Sequence, residues 1–495
     1  MRNPLNFSFG LLALLPLAPA VSADDRPNIL WIIPDDMSAH FSCYGETAIE
    51  TPHLDGLAAG GVKFTNAYVT APVCSTCRSA FITGMYQTSI GAHHHRSGQG
   101  EVKINLPEQV KMVPKLFQEA GYHTSISGWP GKKGALGKTD YNFEWDKSIY
   151  DGADWSDRKA GQPFFAQIQS KGGKMRGKDK KGWESVSASA EKHFGSRTSP
   201  DSVKLPPYYP RIPEILSDWA AYLDSVRETD RMVGEIVARL KKEGEFENTL
   251  ILFMTDHGIS HARGKQFMYD EGLHVPLVIA GPRIEAGKVR TDLVEHIDIA
   301  GLSLAAAGIE IPAIMQGRDI LAENYEPREA VFSARDRCDE TVDHMRAVRT
   351  EDYKYIRNFL PQRPYLQPCA YKDAKEIIKA LRRAHAAGEL NEAQELIFRE
   401  TRPEEELYDL KSDPHELKNL ADDPDFSGKL AELRGRLDSW MEETGDIGLE
   451  PEPKAQFESS MEVYLGAMRR KGDPAHLKTI EDNIALMKKW AAEGK

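Results

Sequence analysis

Ala71-Pro72-Val73-Cys74-Ser75-Thr76-Cys77-Arg78-Ser79-Ala80-Phe81-Ile82-Thr83-Gly84 is the stretch around which the chain is organised. Ala71-Pro72 breaks the extended segment before it. Ser75 to Thr83 holds neither Pro nor Gly, so the spacing predicts a short helix that Gly84 stops. Cys74 then stands at a helix N-terminus, where unpaired N–H groups and the dipole favour an anion or a thiolate. Arg78 follows four residues on, one turn away and on the same face. A reactive position and a guanidinium thus converge on one anion-sized spot. Taken alone, Cys74 and Cys77 also suit a redox dithiol or half of a zinc site. Zinc would need a second pair at matching spacing, and Cys43, Cys338 and Cys369 do not supply it.

Upstream, Asn28-Ile29-Leu30-Trp31-Ile32-Ile33 is a continuous apolar run ending at Pro34, which reads as a buried parallel strand. Asp35-Asp36 follow at its carboxyl end, where open α/β sheets bind ligands. Two adjacent carboxylates there suit a shared cation, or else a turn and a helix N-cap. Downstream, Leu216–Lys242 carries apolar residues at helical spacing, among them Trp219, Leu223, Val226, Val233 and Leu240. Asn248–Met254 is a second buried strand, and it too ends in acidic chemistry, Thr255-Asp256-His257-Gly258. Between these lie the amphipathic segment Gln109–Ala120 and the strand-like runs Tyr122–Ile126 and Pro163–Gln169. Alternating strand and helix signals give an α/β class.

Cys-Ser-Thr-Cys-Arg followed by four residues and Thr-Gly resembles the type I sulfatase motif, Cys-x-Pro-Ser-Arg-x-x-x-x-Thr-Gly. Pro-Asn-Ile-Leu-x-Ile-x-x-Asp-Asp, Asp256-His257-Gly258 and Gly264-Lys265 continue that resemblance in family order, over roughly residues 26–425. The fold it implies is an α/β sandwich like alkaline phosphatase, with a large mixed β-sheet and a smaller C-terminal α+β subdomain. In the family the Cys matures to formylglycine, whose hydrate attacks the sulfur of a sulfate ester. The resemblance therefore implies formylglycine at Cys74, a maturation enzyme that makes it, and a sulfated carbohydrate as substrate.

The family's metal ligands fall on Asp35, Asp36, Cys74 and Asp256, with Ca²⁺ the expected ion. His257 either joins them or holds the Cys74-derived group. Arg78, Lys138 and Lys265 correspond to the residues that hold the sulfate oxygens. Lys132 and Lys133 rival Lys138, and Asp140 stands where the family has a His. Related sulfatases often carry a His beyond the strand at 163–169, on the leaving-group side. This chain has none there, which leaves His261 and Lys265 as the expected proton donors. Thr76 replaces the family's usual Pro. A phosphate or phosphonate ester hydrolase of the same superfamily, a sulfamidase cleaving N–S bonds, and an inactive binder of sulfated glycans are the alternatives.

Other candidates rest on residue type. His93, His95 and Arg96 lie on a loop that either lines a sulfate or sugar pocket or forms a solvated turn. Lys171–Lys181 carries six basic residues and one acid, Lys174 and Arg176 among them. It reads as a solvated loop or as a docking site for a sulfated chain. Arg337 either faces the cleft and recognises sugar hydroxyls or closes a salt-bridged strand end.

The chain has 495 residues and a net charge of −12, which argues against general nucleic-acid binding. Residues 1–23 read as a secretory signal peptide, with an apolar Phe9–Ala20 stretch and a Val-Ser-Ala end. No later run reaches the ~18 apolar residues of a membrane span. An exported, periplasmic or extracellular protein is expected. Residues 24–315 read as the catalytic domain, 316–452 as a C-terminal subdomain of short strands, and 453–495 as a helical tail.

Overall fold

The computed structural model describes residues 26–131 and 135–495. The signal-peptide segment and the rivals Lys132 and Lys133 lie outside the described residues.

Strand β1 (Asn28–Pro34) is the centre of the large sheet and is buried at every position. It pairs in parallel with β4 (Phe164–Ser170) on one side and β5 (Thr249–Met254) on the other. The sheet order is β3-β4-β1-β5-β6-β2-β7, where β2 is Gly61–Tyr68, β3 His123–Gly128, β6 His274–Ala280 and β7 Lys288–Arg290. A short β8 (Val294–Glu295) also pairs with β2, and β6 runs antiparallel to both its neighbours, so the sheet is mixed. A strand buried on both faces must be apolar on both. In β1, Leu30 and Ile32 join one core, while Ile29, Trp31 and Ile33 join the other.

Helices cover each face. The helix Pro213–Glu243 lays Trp219, Tyr222, Leu223, Val226 and Val233 on the Leu30 side. The helix Cys74–Thr83 lays Phe81 and Ile82 on the Trp31 side. It ends at Gly84 with φ 67, a left-handed cap whose N–H donates to Ala80 O. The expected helix over 109–120 is shorter, Val113–Glu119, because Pro114 lacks an N–H and is tolerated only in a first turn.

A second sheet, β12-β11-β10-β9, is antiparallel and follows in the chain: β9 Val331–Arg335, β10 Met345–Arg349, β11 Tyr353–Asn358, β12 Glu405–Asp409. The helix Ser427–Glu443 packs Leu433, Leu437 and Trp440 against it. Two final helices, Lys454–Lys471 and Pro474–Ala492, pack together around Met461, Leu465, Ile480 and Ala370. No helix among the described residues is long and apolar enough to cross a membrane.

Candidate active site

The carboxyl ends of β1, β4 and β5 meet at one point. Asp35 N donates to Ser170 O at 3.2 Å, and Asp256 N donates to Pro34 O at 3.2 Å, so the strand ends are stitched together. Asp36 turns out of β1 at φ 54, a left-handed conformation that Asp tolerates better than most residues, and its N–H donates to Asp256 Oδ1 at 2.9 Å. The chain leaving β4 crosses directly over this pair. A Cβ at Gly172 would sit 2.2 Å from Asp35 O, and one at Gly173 would sit 2.2 Å from Asp36 O. Only glycine permits that crossing, and it delivers Lys174 to the centre.

Cys74 is 2% exposed and its Sγ is the hub. Lys265 Nζ lies 3.0 Å away, His257 Nε2 3.1 Å, Lys174 Nζ 3.5 Å and Asp36 Oδ1 3.7 Å. Arg78, one turn along the helix, pairs with Asp35 and reaches Asp256 Oδ2 at 3.3 Å and Gln169 Oε1 at 2.5 Å. Lys138 Nζ is 2.9 Å from Asp35 Oδ2, and Lys174 Nζ is 2.8 Å from the same oxygen. Donor atoms of Asp36, Cys74, Asp256 and His257 all lie within 4.8 Å of one another, close enough for one ion. Asp35 stands beside that group with its oxygens engaged by Arg78, Lys138 and Lys174.

These charges tune one another. Burial alone would raise the Cys74 thiol, but Lys138, Lys174, Lys265 and His257 hold it well below the usual thiol range. His257 is raised to about 10: burial opposes this, and Asp256, Cys74 and Asp36 overcome it. Its Nδ1 meets Gly258 O at 2.8 Å, so the imidazolium presents Nε2–H to the sulfur and to Asp36 Oδ1 at 3.1 Å. Burial, with Asp35 and Cys74 nearby, pushes Asp256 up to about 6. The arrangement can bind an anion next to a hard cation, with cations on several sides of the Cys74 side chain.

Cys74, Arg78, Lys138, Lys265, Asp35, Asp36, Asp256, His257 and Lys174 are therefore brought together. Five expected residues are not. His261 lies in an aromatic cage, stacked on Trp219 with ring centroids 4.8 Å apart, and its Nε2 is 3.1 Å from Asp218. Burial, reinforced by Arg176, lowers it to about 3, so it is a neutral imidazole and no proton donor. Arg176 is not on an open loop. It is buried, with Nε 3.0 Å from both Asp218 oxygens. Arg337 is buried against Glu452 at 2.8 Å, and His95 against Tyr464 Oη and Asp339 at 3.0 Å each. Glu452 directly precedes the final helices and Tyr464 lies on the first of them, so Arg337 and His95 anchor that tail. His93 is buried beside His94, ring centroids 4.3 Å apart. Asp140, in the place of a family His, pairs with Arg96 at 2.8 Å.

Tyr371 and Gln169 belong to the centre without having been expected there. Tyr371 Oη is 3.4 Å from Asp36 Oδ2, and Lys265 Nζ sits over its ring at 5.0 Å. Gln169 ends the β4 run and its position was legible, but Tyr371 comes from a short helix, Ala370–Asp373, in the connection between β11 and β12, with no motif to mark it.

The chain is similar to several known proteins. The family model described as Sulfatase matches residues 27–309, and one for the C-terminal part of N-sulphoglucosamine sulphohydrolase matches residues 257–383. An ulvan-active sulfatase from Formosa agariphila is 34% identical over 476 residues, covering 88% of this chain and 78% of its own. N-sulphoglucosamine sulphohydrolase from Homo sapiens is 27% identical over 497 residues, covering 90% and 95%. A solved structure in complex with its substrate D-glucosamine-2-N,6-O-disulfate superposes with TM-score 0.60 at 19% identity, covering 85% of this chain and 98% of that one. A phosphonate monoester hydrolase from Silicibacter pomeroyi gives TM-score 0.57 at 19% identity, covering 86% and 97%. At those identities the two structures speak for the fold alone.

Proposed function

This chain belongs to the sulfatase family, and on that premise we propose that it hydrolyses a sulfate ester of a sulfated carbohydrate at the Cys74 centre. The observation that carries the reading is the convergence of Lys265, Lys174 and His257 within 3.5 Å of Cys74 Sγ, beside Asp36 and Asp256. A tetrahedral anion needs positive charge on several sides at once, and a preorganised cationic set is the largest lever on such a reaction.

The residues fit the groups the family implies. Buried carboxylates from two strand ends form a hard-oxygen donor set, and a divalent cation relieves the burial and repulsion that raise Asp256. Asp36 and Asp256, flanked by Asp35 and His257, would hold Ca²⁺, which polarises sulfate oxygens as a Lewis acid. Cys74 is the position for formylglycine, made by a maturation enzyme, and its hydrate supplies the nucleophile. Arg78 and Lys138 orient the anion from the Asp35 side, and Lys265 holds it from the other. Lys174 takes the leaving-group role: it arrives on the segment after β4, where related sulfatases often carry a His, and its side chain is 29% exposed. The apolar Phe9–Ala20 stretch supports export.

A second reading, N-sulfate cleavage, is favoured by the match at residues 257–383 and by the human relative. Matched O-sulfo, N-sulfo and phosphate esters of one sugar, assayed with matured protein, separate the readings. Preference for the O-sulfo ester supports the proposal; exclusive turnover of the N-sulfo or phosphate compound overturns it.

A further inference from the structure

A cavity of about 660 Å³ opens where the second sheet meets the two final helices. Its lining includes none of the residues gathered around Cys74. Four lining residues, His94, Asp336, His344 and Arg363, each carry a buried polar atom without a hydrogen-bond partner among the described residues: His94 Nε2, Asp336 Oδ2, His344 Nε2 and Arg363 Nε. Buried polar atoms left unpaired are destabilising and uncommon, so four on one cavity call for a ligand.

Their chemistry can be specified. Arg337 N donates to His94 Nδ1 at 3.3 Å, and burial, with Arg337 and Arg346 close by, keeps that ring neutral. The proton must therefore sit on Nε2, which is a free donor. Asp336 Oδ1 accepts from Arg346 Nη1 at 3.1 Å, and burial pushes this carboxyl up to about 7, so the unpartnered Oδ2 accepts when ionised and donates when protonated. His94, Asp336 and His344 do not form a group close enough to share one ion. Donor and acceptor are thus spread over a surface, as an organic ligand with several hydroxyls requires.

Most of the charges at the rim are paired. Lys454 and Lys488 both face Glu458, at 4.0 and 3.7 Å, Lys495 faces Glu493 at 3.3 Å, and Glu452 is held by Arg337. Arg363 spends its terminal nitrogens on backbone carbonyls, donating to Val342 O at 2.5 Å and Lys495 O at 2.8 Å, so no cationic cluster among the described residues is left to receive a sulfate. The walls are apolar, formed by Val342, Leu360, Phe457 and Met487, with Leu449 47% exposed at the rim.

We propose that this cavity binds an uncharged sugar ring, with its C–H face on the apolar walls and its hydroxyls on His94, Asp336 and His344. The proposal deepens the reading of a carbohydrate substrate and rests on it. The cavity is also tied to the reaction centre, because Arg96 N, two residues beyond His94, donates to Ser75 Oγ beside Cys74 at 3.0 Å. The sugar is either an unsulfated residue of the substrate chain or a separate neutral glycan.

The test is saturation-transfer NMR with chemically desulfated di- to tetrasaccharides on the full chain. Ala491→Trp fills the cavity from an exposed helix position, and His344→Phe removes both ring nitrogens while keeping a ring stacked on Phe359. Saturable binding to the wild type, weakened at least tenfold in both variants with aryl sulfate hydrolysis unchanged, is expected. A matching rise in KM for a partly sulfated polymer identifies a residue of the substrate chain; an unchanged KM identifies a separate glycan. Absence of saturable binding by every neutral saccharide, or binding that both variants retain, overturns the proposal. Sulfate ester turnover without sugar binding sinks this inference alone, and sugar binding without turnover sinks the proposed function alone.

Discussion

Cys74 and Cys77 lie three residues apart on one helix, and their sulfurs have opposite surroundings. Cys74 Sγ faces Lys265 at 3.0 Å and is held low, whereas Cys77 Sγ donates to Ala71 O at 2.7 Å and is raised by burial and Asp256. Cys74→Ala should abolish turnover, and Cys77→Ser should retain most of it. Peptide mass spectrometry of active protein should find the aldehyde at 74. An aldehyde at 77, or full activity with an unmodified thiol at 74, would refute the assignment.

The carboxylates at the ends of β1 and β5 predict a divalent-ion requirement. Chelation should abolish activity and Ca²⁺ should restore it. Binding to the native state alone should also raise stability by about 2.7 kcal/mol at a hundredfold excess over Kd. Thermal melts should show that gain in the wild type and lose it in Asp256→Asn. Full activity of exhaustively metal-free protein would end the idea.

Lys174 and His261 separate catalysis from architecture. Lys174→Ala should lower kcat for a sugar sulfate by about 10²–10⁴-fold, the usual contribution of a general acid. An aryl sulfate, whose leaving group needs no proton, should suffer much less. His261→Gln should leave kcat nearly unchanged and destabilise the fold by about 1–3 kcal/mol, since it disturbs the bond to Asp218. A large kcat loss in His261→Gln at retained stability would return the acid role to it.

The basic segment Lys171–Lys181 divides in the same way. Lys171, Lys178, Lys180 and Lys181 are exposed, while Arg176 is the buried partner of Asp218. Neutralising Lys171, Lys178 and Lys180 together should raise KM for a sulfated polymer in low salt and spare a small ester. Arg176→Ala should instead cost about 3–5 kcal/mol of stability, because it strands a buried carboxylate. Equal KM changes on polymer and small ester would show that the exposed lysines do not dock the chain.

Glu340 predicts a pH effect on tail docking. Its Oε1 accepts from Ala370 N at 2.6 Å and from Asn483 Nδ2, on the last helix, at 2.8 Å. Burial, aided by Asp339, pushes it from 4.5 up to about 7. Between those values the native state holds a proton that the unfolded chain has released, so stability falls as pH rises through that window. Glu340→Gln keeps the acceptor and removes the titration. Its stability relative to wild type should improve from pH 5 to pH 8 by on the order of 3 kcal/mol at most. A difference independent of pH would contradict this.

Local sequence determined the central strands, the helices Cys74–Thr83 and Pro213–Glu243 and the acidic strand ends, but not β2 or β6. A doubly buried strand must be apolar at every position, so β1 and β5 announced themselves, and Asp35, Asp36, Asp256 and His257 followed at their carboxyl ends. Cys74 and Arg78 were legible because helical geometry fixes an i, i+4 pair without help from the rest of the chain. Tertiary structure alone decided which polar side chains turn inward and what they meet there. Gly172 and Gly173 let one backbone cross another, which brings Lys174 to the reaction centre and leaves Arg176, two residues on, buried against Asp218. His261, Arg337 and His95 are as polar in sequence as any site residue, yet their partners Asp218, Glu452 and Tyr464 are far away in the chain. Tyr371 reached the centre only because the connection between β11 and β12 packs back over Lys265. Such pairings depend on which surfaces are buried together, and residue spacing carries no record of that.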